Sequence, residues 1–553
     1  MKKFRWQIII ILLTGLVMGL LLLSEQTGFR LVSPVPTSGG VYTEALIGRL
    51  QRLNPVLDYY NSADRDVNRL IFSSLVKVDQ QGLPIADLAE TWGISYDGLT
   101  YNFELRANAK WHDGKPVIAQ DVLFTIELMR DPASVLPEDI KNFWAGVGVR
   151  ALGDKLVQFT LSEPFSPFMD YLNFGILPQH LLSGMTFAEI VNSEFNLKPV
   201  GSGPYKFNSL LVEENKIQGV LLSSNADYYL KTPFINDFVL RYYEDEQSAY
   251  LAYQKGVVQG ISSVSDMVLP QALINNELSV YSAVDSEISM ILMNLNNEDV
   301  SFFKEEDIRR ALLLALDRRG MITRVVGGQG VVADVPVLPT NWAFYNGITR
   351  VDQDVMAAAN LLKEAGFVLA QEGGGIRAKD GQTLSFRMIH PNDATHTAMA
   401  EAIRADWLKV GVQVELLPLT YDVLILDHLQ PLTYEAALID INYSRSPDPD
   451  PYPFWDQSQQ KGGQNYSQWE NRIVSQYLQE ARVLLDINDR AKLYRNFQVV
   501  FSEELPALPL FYPVTNFAID DAVQGVRLGS WYDRSDRFWN VSEWYLVAQA
   551  SAE

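Results

Sequence analysis

His112 and Asp113 stand side by side in Trp111-His112-Asp113-Gly114, and a histidine next to a carboxylate is the raw material of a general base or a metal ligand. Nothing nearby completes such a site. The other four histidines, at 180, 390, 396 and 428, show no H-E-x-x-H or similar ligand spacing. Asp113-Gly114 reads better as a tight turn, so His112 is expected to be structural. Gly146-Val147-Gly148-Val149-Arg150-Ala151 fits a loose G-x-G-x-x-A pattern. A dinucleotide site needs a strand before that pattern and a helix N-terminus after it, whereas here a turn and the strand-like LVQFTL follow. Ser446-Pro447-Asp448-Pro449-Asp450-Pro451 has acids at alternate positions, but the interleaved prolines make a stiff loop rather than a flexible calcium turn. There is no P-loop and no G-x-S-x-G elbow. With no cysteine in the chain, disulfides, thiolate nucleophiles and Cys-ligated metal are excluded. No catalytic residue, metal or cofactor is expected.

The residues that could make a site are aromatic. The chain has 11 Trp, 25 Tyr and 26 Phe. Tyr59, Tyr60, Trp144, Trp342, Tyr443 and Trp455 fall at predicted strand ends or loops, where clefts that close over small ligands find their walls. Core packing is the competing reading for each of them.

The elements around these residues change character along the chain. Val67–Leu75 has helical spacing. Tyr101, Phe103 and Leu105 alternate with polar residues as a half-buried strand does. Asp97-Gly98 and Asp113-Gly114 mark tight turns, and Val122, Ile126 and Met129 return to helical spacing before Asp131-Pro132 ends the run. Up to about residue 290, strands and short helices mix. From about 295 to 505, longer helices alternate with short strands. Asp307–Arg319 and Gln353–Ala365 are expected helices. LSFRMI, 394–410, VQVELLPL, 421–429 and YEAALIDI follow in βαβαβ order, which implies a parallel sheet. From LPLFYPVTNFAI onward, strand and turn character returns. This suggests two lobes with chain crossings near Ser289–Asn297 and Pro506–Pro513.

At 553 residues the chain is too long for one core. Its net charge of -22 argues against nucleic acid and anionic headgroups as partners. Lys2, Lys3 and Arg5 precede an apolar run, residues 6–23, which as a helix spans about 27 Å, close to the hydrocarbon thickness of a bilayer. The positive residues before it place the rest of the chain outside. No A-x-A-like site follows, so an uncleaved anchor is expected over a cleaved signal. LVSPVPTSGG, ending at Gly40, reads as a linker.

Several segments resemble the family 5 extracellular solute-binding proteins of ABC importers, the oligopeptide, dipeptide and nickel-binding group. They are LIFSSLVKVDQQGLPIADLAETW, DGLTYNFELRANAKWHDGKP, AQDVLFTIELM, GSGPYKF at 201–207, DIRRALLLALDRRGMI at 307–322 and GGQNYSQWENRIVSQYLQEAR at 462–482. The resemblance implies an α/β bilobed periplasmic-binding-protein-like clamshell with an extra α+β subdomain inserted in the first lobe. Residues 1–40 then form the anchor or signal segment and linker. Residues 41–290 plus 506–553 form the first lobe, with an insert at about 80–197, and residues 291–505 form the second. It also implies a non-catalytic protein outside the cytoplasmic membrane that closes over a small solute, first of all a peptide, and delivers it to ABC permease subunits. A secreted hydrolase with a dispersed acid pair and a membrane-tethered sensor are the alternatives. The lipid-modified cysteine of many relatives is absent, which leaves residues 6–23 as the attachment.

In peptide-binding relatives an acidic residue in an Asp-Tyr-x-x-Pro pattern, after a second-lobe strand, meets the peptide ammonium. Here YEAALIDI is followed by Asn442-Tyr443-Ser444-Arg445-Ser446-Pro447. Counting back four from Pro447 gives Tyr443, and from Pro449 gives Arg445, and neither is acidic. The free amine is therefore not expected to be held in the usual way. Asn442, Tyr443 and Arg445 join the candidate ligand contacts, with Arg445 suited to an anionic or carbonyl-rich group.

Overall fold

The computed structural model describes residues 36–371, 374–444 and 446–547. Two large hydrophobic cores organise it. One gathers Tyr42, Leu70, Phe103, Trp144, Phe238 and Trp544; the other gathers Ile291, Leu312, Trp407, Leu438, Phe497 and Leu508. This is the bilobed clamshell. A smaller cluster packs the helix Glu246–Gln254 against Ala45 and Ile261 of the first lobe.

Among the described residues one twelve-stranded mixed sheet runs through both lobes. Its first-lobe end sets Val41–Ile47 parallel to Asp237–Tyr243 and to Gly260–Ile261, with the antiparallel pair Tyr205–Glu213 and Lys216–Ser224 at the edge. Glu214 and Asn215, both at positive φ, make the tight turn of that pair. The second-lobe end has the expected βαβαβ order. Ser385–Pro391 lies parallel to both Gln413–Leu419 and Ala436–Asn442, with helix Ala394–Lys409 making the first crossover. The long strand Ala507–Asp520 joins the two ends. Its first half pairs Glu287–Met293 and buries Leu508 and Leu510 in the second core; its second half pairs Leu278–Val284 and buries Phe517 and Ile519 in the first. The change of partner falls around Pro513, opposite Asp285, whose N–H donates to the Pro513 carbonyl.

The half-buried strand appears as Thr100–Leu105, with Tyr101, Phe103 and Leu105 inward. It lies in a four-stranded antiparallel sheet with Ala89–Ile94, Leu156–Thr160 and Gly148–Ala151, covered by helix Ala119–Arg130. Gly148 begins a strand, which agrees with rejecting a dinucleotide loop there. The single helix expected over Asp307–Arg319 is two, Glu306–Ala315 and Arg318–Val325. The break is local: Asp317 leaves helical geometry, and its side chain caps the second helix by accepting from the Gly320 N–H at 2.8 Å. Among the described residues no helix is long and apolar enough to cross a membrane, and the 6–23 segment lies outside them.

Candidate ligand-binding site

Helix Ser62–Ile71 builds one wall of an interlobe cavity. Asn61 caps it, and its spacing puts Arg65, Asn68 and Arg69 on one face. Arg65 grips the preceding loop through the carbonyls of Asp58 and Tyr59, at 3.0 and 2.9 Å, and pairs with Asp533 at 2.8 Å. Arg69 donates to Asn173 and pairs with Asp536 at 3.2 Å. Burial raises the Asp536 carboxyl, and Arg69 opposes that rise. Lys77 forms an ion pair with Asp87 at 3.3 Å. Burial pulls the Lys77 ammonium down most strongly of any single influence, but Asp87 and Tyr228 together raise it and the net shift is upward. Arg65, Arg69, Lys77, Asp533 and Asp536, with Tyr532 from the C-terminal segment and Pro447 from the second lobe, line a cavity of about 130 Å³. Among the described residues that line it, Arg65, Arg69 and Lys77 face the carboxylates of Asp58, Asp533 and Asp536.

Beside the cavity the lobes are tied by a charged cluster. The backbone N–H of Asp448 donates to the Asp170 carboxylate across the lobe boundary, and Arg490 binds the Asp448 side chain. Asp450 pairs with Arg482 at 3.2 Å, and the Arg482 guanidinium lies over the rings of Phe165 at 4.9 Å and Tyr452 at 4.2 Å. The Asp170 carboxyl is pushed well up, by burial first and then by Asp448 facing it. Asp450 is pushed up to about 6, mainly by burial. The proline-spaced acids thus form an ion-paired loop, and among the described residues no cluster of metal-ligating side chains occurs. His112 is also structural: its ring bonds the backbone at Gly201 and Gly203, and burial lowers it to about 4.

The sequence-selected residues divide. Tyr59 and the largely exposed Tyr60 sit on the Arg65-gripped loop, rings 4.9 Å apart. Asn442 is exposed at the end of its strand, donating to Glu287 at 3.4 Å. Trp342 lies under the Arg490 guanidinium at 5.3 Å, in the interlobe cluster. Trp144, by contrast, is fully buried among Phe143, Phe159, Phe168 and Phe174, and belongs to the core. Tyr443 is likewise buried, its hydroxyl donating to the Pro336 carbonyl at 3.0 Å. Trp455 packs on Phe501, 4.9 Å between centroids, and also lines a second-lobe pocket. Trp144 and Tyr443 pack inside the cores, where burial of a large aromatic gains most, while the nearly buried Trp455 also borders that pocket. Arg445 lies outside the described residues. Sequence reasoning missed Arg65, Asn68, Arg69, Asn173 and Tyr532. The i, i+3, i+4 spacing behind an Asn cap was a readable signal for the first three; Asn173 and Tyr532 arrive only through tertiary folding.

Residues 84–464 match the family described as bacterial extracellular solute-binding proteins, family 5 Middle. The chain is 26% identical over 520 residues to the oligopeptide-binding protein AppA of Bacillus subtilis, covering 93% of this chain and 92% of that one. It is 25% identical over 472 residues to a dipeptide-binding protein of Escherichia coli, covering 80% and 83%. The solved structure of the Bacillus subtilis AppA in complex with a nonapeptide superposes with a TM-score of 0.65 at 25% identity, covering 93% of this chain and all of that one.

Proposed function

The chain belongs to the family 5 bacterial extracellular solute-binding proteins, and from that membership we propose that it captures a short peptide between its lobes and passes it to an ABC permease. The observation that carries the reading is the cavity under helix Ser62–Ile71. It is walled by first-lobe Asp58, Arg69 and Asn173 and by second-lobe Pro447, and the carbonyl of Tyr532, another wall residue, accepts from the Ser286 hydroxyl beside the Asp285–Pro513 contact where the Ala507–Asp520 strand changes partner. A ligand there touches both halves, so it binds the closed arrangement better than an open one and shifts the population toward it. The neighbouring Asp170–Asp448 contact is made across the same boundary.

The site's role is retention without turnover, in line with a family of binding proteins. The apolar 6–23 run and the cationic residues before it support attachment outside the membrane, which N-terminal sequencing of membrane-extracted protein tests. For the ligand, the test is native mass spectrometry after incubation with a mixture of two- to five-residue peptides. Intact peptide bound at one per chain is expected. Released fragments would instead favour a hydrolase, and no adduct would remove the peptide reading.

A further inference from the structure

The seam that carries the Asp170–Asp448 contact continues away from the ligand cavity. Its first-lobe side belongs to the unit built on the four-stranded sheet, in the stretch that follows strand Leu156–Thr160. Phe165 precedes the short helix Ser166–Leu172, and the Arg482 guanidinium of the second lobe lies over its ring at 4.9 Å. The Ser166 hydroxyl donates to the Leu484 carbonyl. Leu484 ends helix Arg472–Val483, where carbonyls lack intrahelical partners, and Ser166 supplies one from the opposite lobe. Leu485 then meets the tight turn at Asp97-Gly98. A Cβ on Gly98 would stand 3.7 Å from Leu485 Cδ2 and 3.3 Å from Pro164 Cβ. Gly98 takes positive φ there, so the turn offers Leu485 a face without a side chain.

Both partners of the Arg482–Phe165 contact are seated by their own lobes. Arg482 pairs with Asp450 at 3.2 Å, and the Tyr452 ring, also second-lobe, faces its guanidinium at 4.2 Å. A planar cation fixed by a carboxylate and one ring has little side-chain freedom left to lose when a second ring arrives. The Phe165 ring is 5.8 Å from Phe143 and 6.0 Å from Tyr171, and those two stack on each other at 3.8 Å. What depends on the lobes being together is therefore the stacking of Arg482 on Phe165, the Ser166–Leu484 hydrogen bond and the packing of Leu485 on the Gly98 turn. The walls of the ligand cavity are a different set of residues, among them Arg65, Arg69, Asn173 and Tyr532.

We propose that this part of the seam is a latch that works without ligand: the four-stranded unit, through Phe165 and Ser166, clasps Arg482 and Leu484 and holds a share of the molecules closed before any solute enters. Its contacts do not touch the cavity, so it favours the closed form by the same factor whatever is bound. Weakening it lowers every affinity alike, through the closed population, and leaves the order of preference among solutes unchanged. That separates the latch from the cavity walls, whose loss changes one solute more than another.

The inference rests on the two-lobe capture reading, so its test needs no solute. Spin labels on Glu127→Cys, in the helix that covers the four-stranded sheet, and on Asp427→Cys, in the second lobe, report the distance across the seam in the ligand-free full chain. Pulsed dipolar spectroscopy is expected to resolve a short, closed component beside the open one. Phe165→Leu keeps an apolar side chain without the ring, and Arg482→Lys keeps a cation for Asp450 without the plane. Each is expected to lower the closed-to-open ratio about fivefold, the scale of one cation–ring contact. The double variant is expected to fall no further than either single one, because both remove the same contact. A wild type with no short component, unchanged ratios in both variants, or losses that add in the double variant overturns the proposal. A latch that behaves as expected in a chain that retains none of the two- to five-residue peptides keeps this inference and discards the peptide reading. Peptide retention with an unchanged ratio in Phe165→Leu does the reverse.

Discussion

Arg537 and Arg490 are both buried guanidiniums, and the carboxylates around them are arranged differently. Arg537 is held by Glu44 at 2.7 Å and by both oxygens of Asp66 at 2.8 Å, all inside the first lobe. Tyr42 adds a hydrogen bond to Glu44 at 2.8 Å, so the acids are satisfied from several sides. Arg490 also holds a buried acid, Asp448, but there the carboxylate of Asp170 comes from the opposite lobe and has no cation of its own among the described residues. The Arg537 group locks elements that never separate. The Arg490 group is complete only while the lobes are together, and completing it brings two acids face to face. Similar residue types thus give stability in one place and a closure-linked proton in the other.

The largest expected effect is Arg537→Met. It leaves Glu44 and Asp66 buried and uncompensated, and denaturant unfolding is expected to show a loss of about 3–5 kcal/mol. Per folded molecule, ligand affinity should not change; a selective loss of affinity would erase the contrast between the two groups.

Next comes Asp170→Asn. The Asp170 carboxyl is raised in the arrangement with Asp448 against it. Below the ordinary Asp value of about 3.9, both open and closed forms carry the proton and closure has no electrostatic cost. Above it the open form ionises first, so the cost of closing grows until the raised value is passed and then stays constant. Affinity contributed by closure is therefore greatest in acid and falls as the pH rises. Asn keeps an oxygen to accept the Asp448 N–H but carries no charge. Calorimetric titrations from pH 4 to 8 should show the variant binding more tightly than wild type at pH 8, by up to about tenfold, with the difference shrinking to about twofold at pH 4. Parallel pH profiles would show that Asp170 does not sense closure.

The smallest effect is expected at Tyr60. Its ring is largely exposed, so Tyr60→Ala should change stability by less than about 0.5 kcal/mol. Peptide affinity should drop a few-fold, read by the same titration, because the ring lies on the loop that Arg65 grips. Unchanged affinity would take Tyr60 out of the site.

Much of this fold was legible before any coordinates. The period-two residues Tyr101, Phe103 and Leu105 and the βαβαβ run from 385 to 442 announced their elements, because local spacing and side-chain burial agree there. The break at Asp317 was not legible, since one capping side chain outweighs a continuous helical pattern. The site was harder to read. Aromatic content pointed to Tyr59 and Tyr60, but equally to Trp144 and Trp455, which the cores absorb. Asp170 and Asp448 meet only when two lobes come together, and no local pattern encodes that.

Ligand is expected to draw the two lobes together about the strand Ala507–Asp520. Because the chain has no cysteine, Glu127→Cys and Asp427→Cys, both at exposed positions and in opposite lobes, place two spin labels without background. Pulsed dipolar spectroscopy then gives the distance between them with and without saturating peptide. Peptide is expected to shift the distribution to a single shorter, narrower distance, and Asp170→Asn to move part of the population there without peptide. A peptide-saturated protein with an unchanged distance distribution would contradict it.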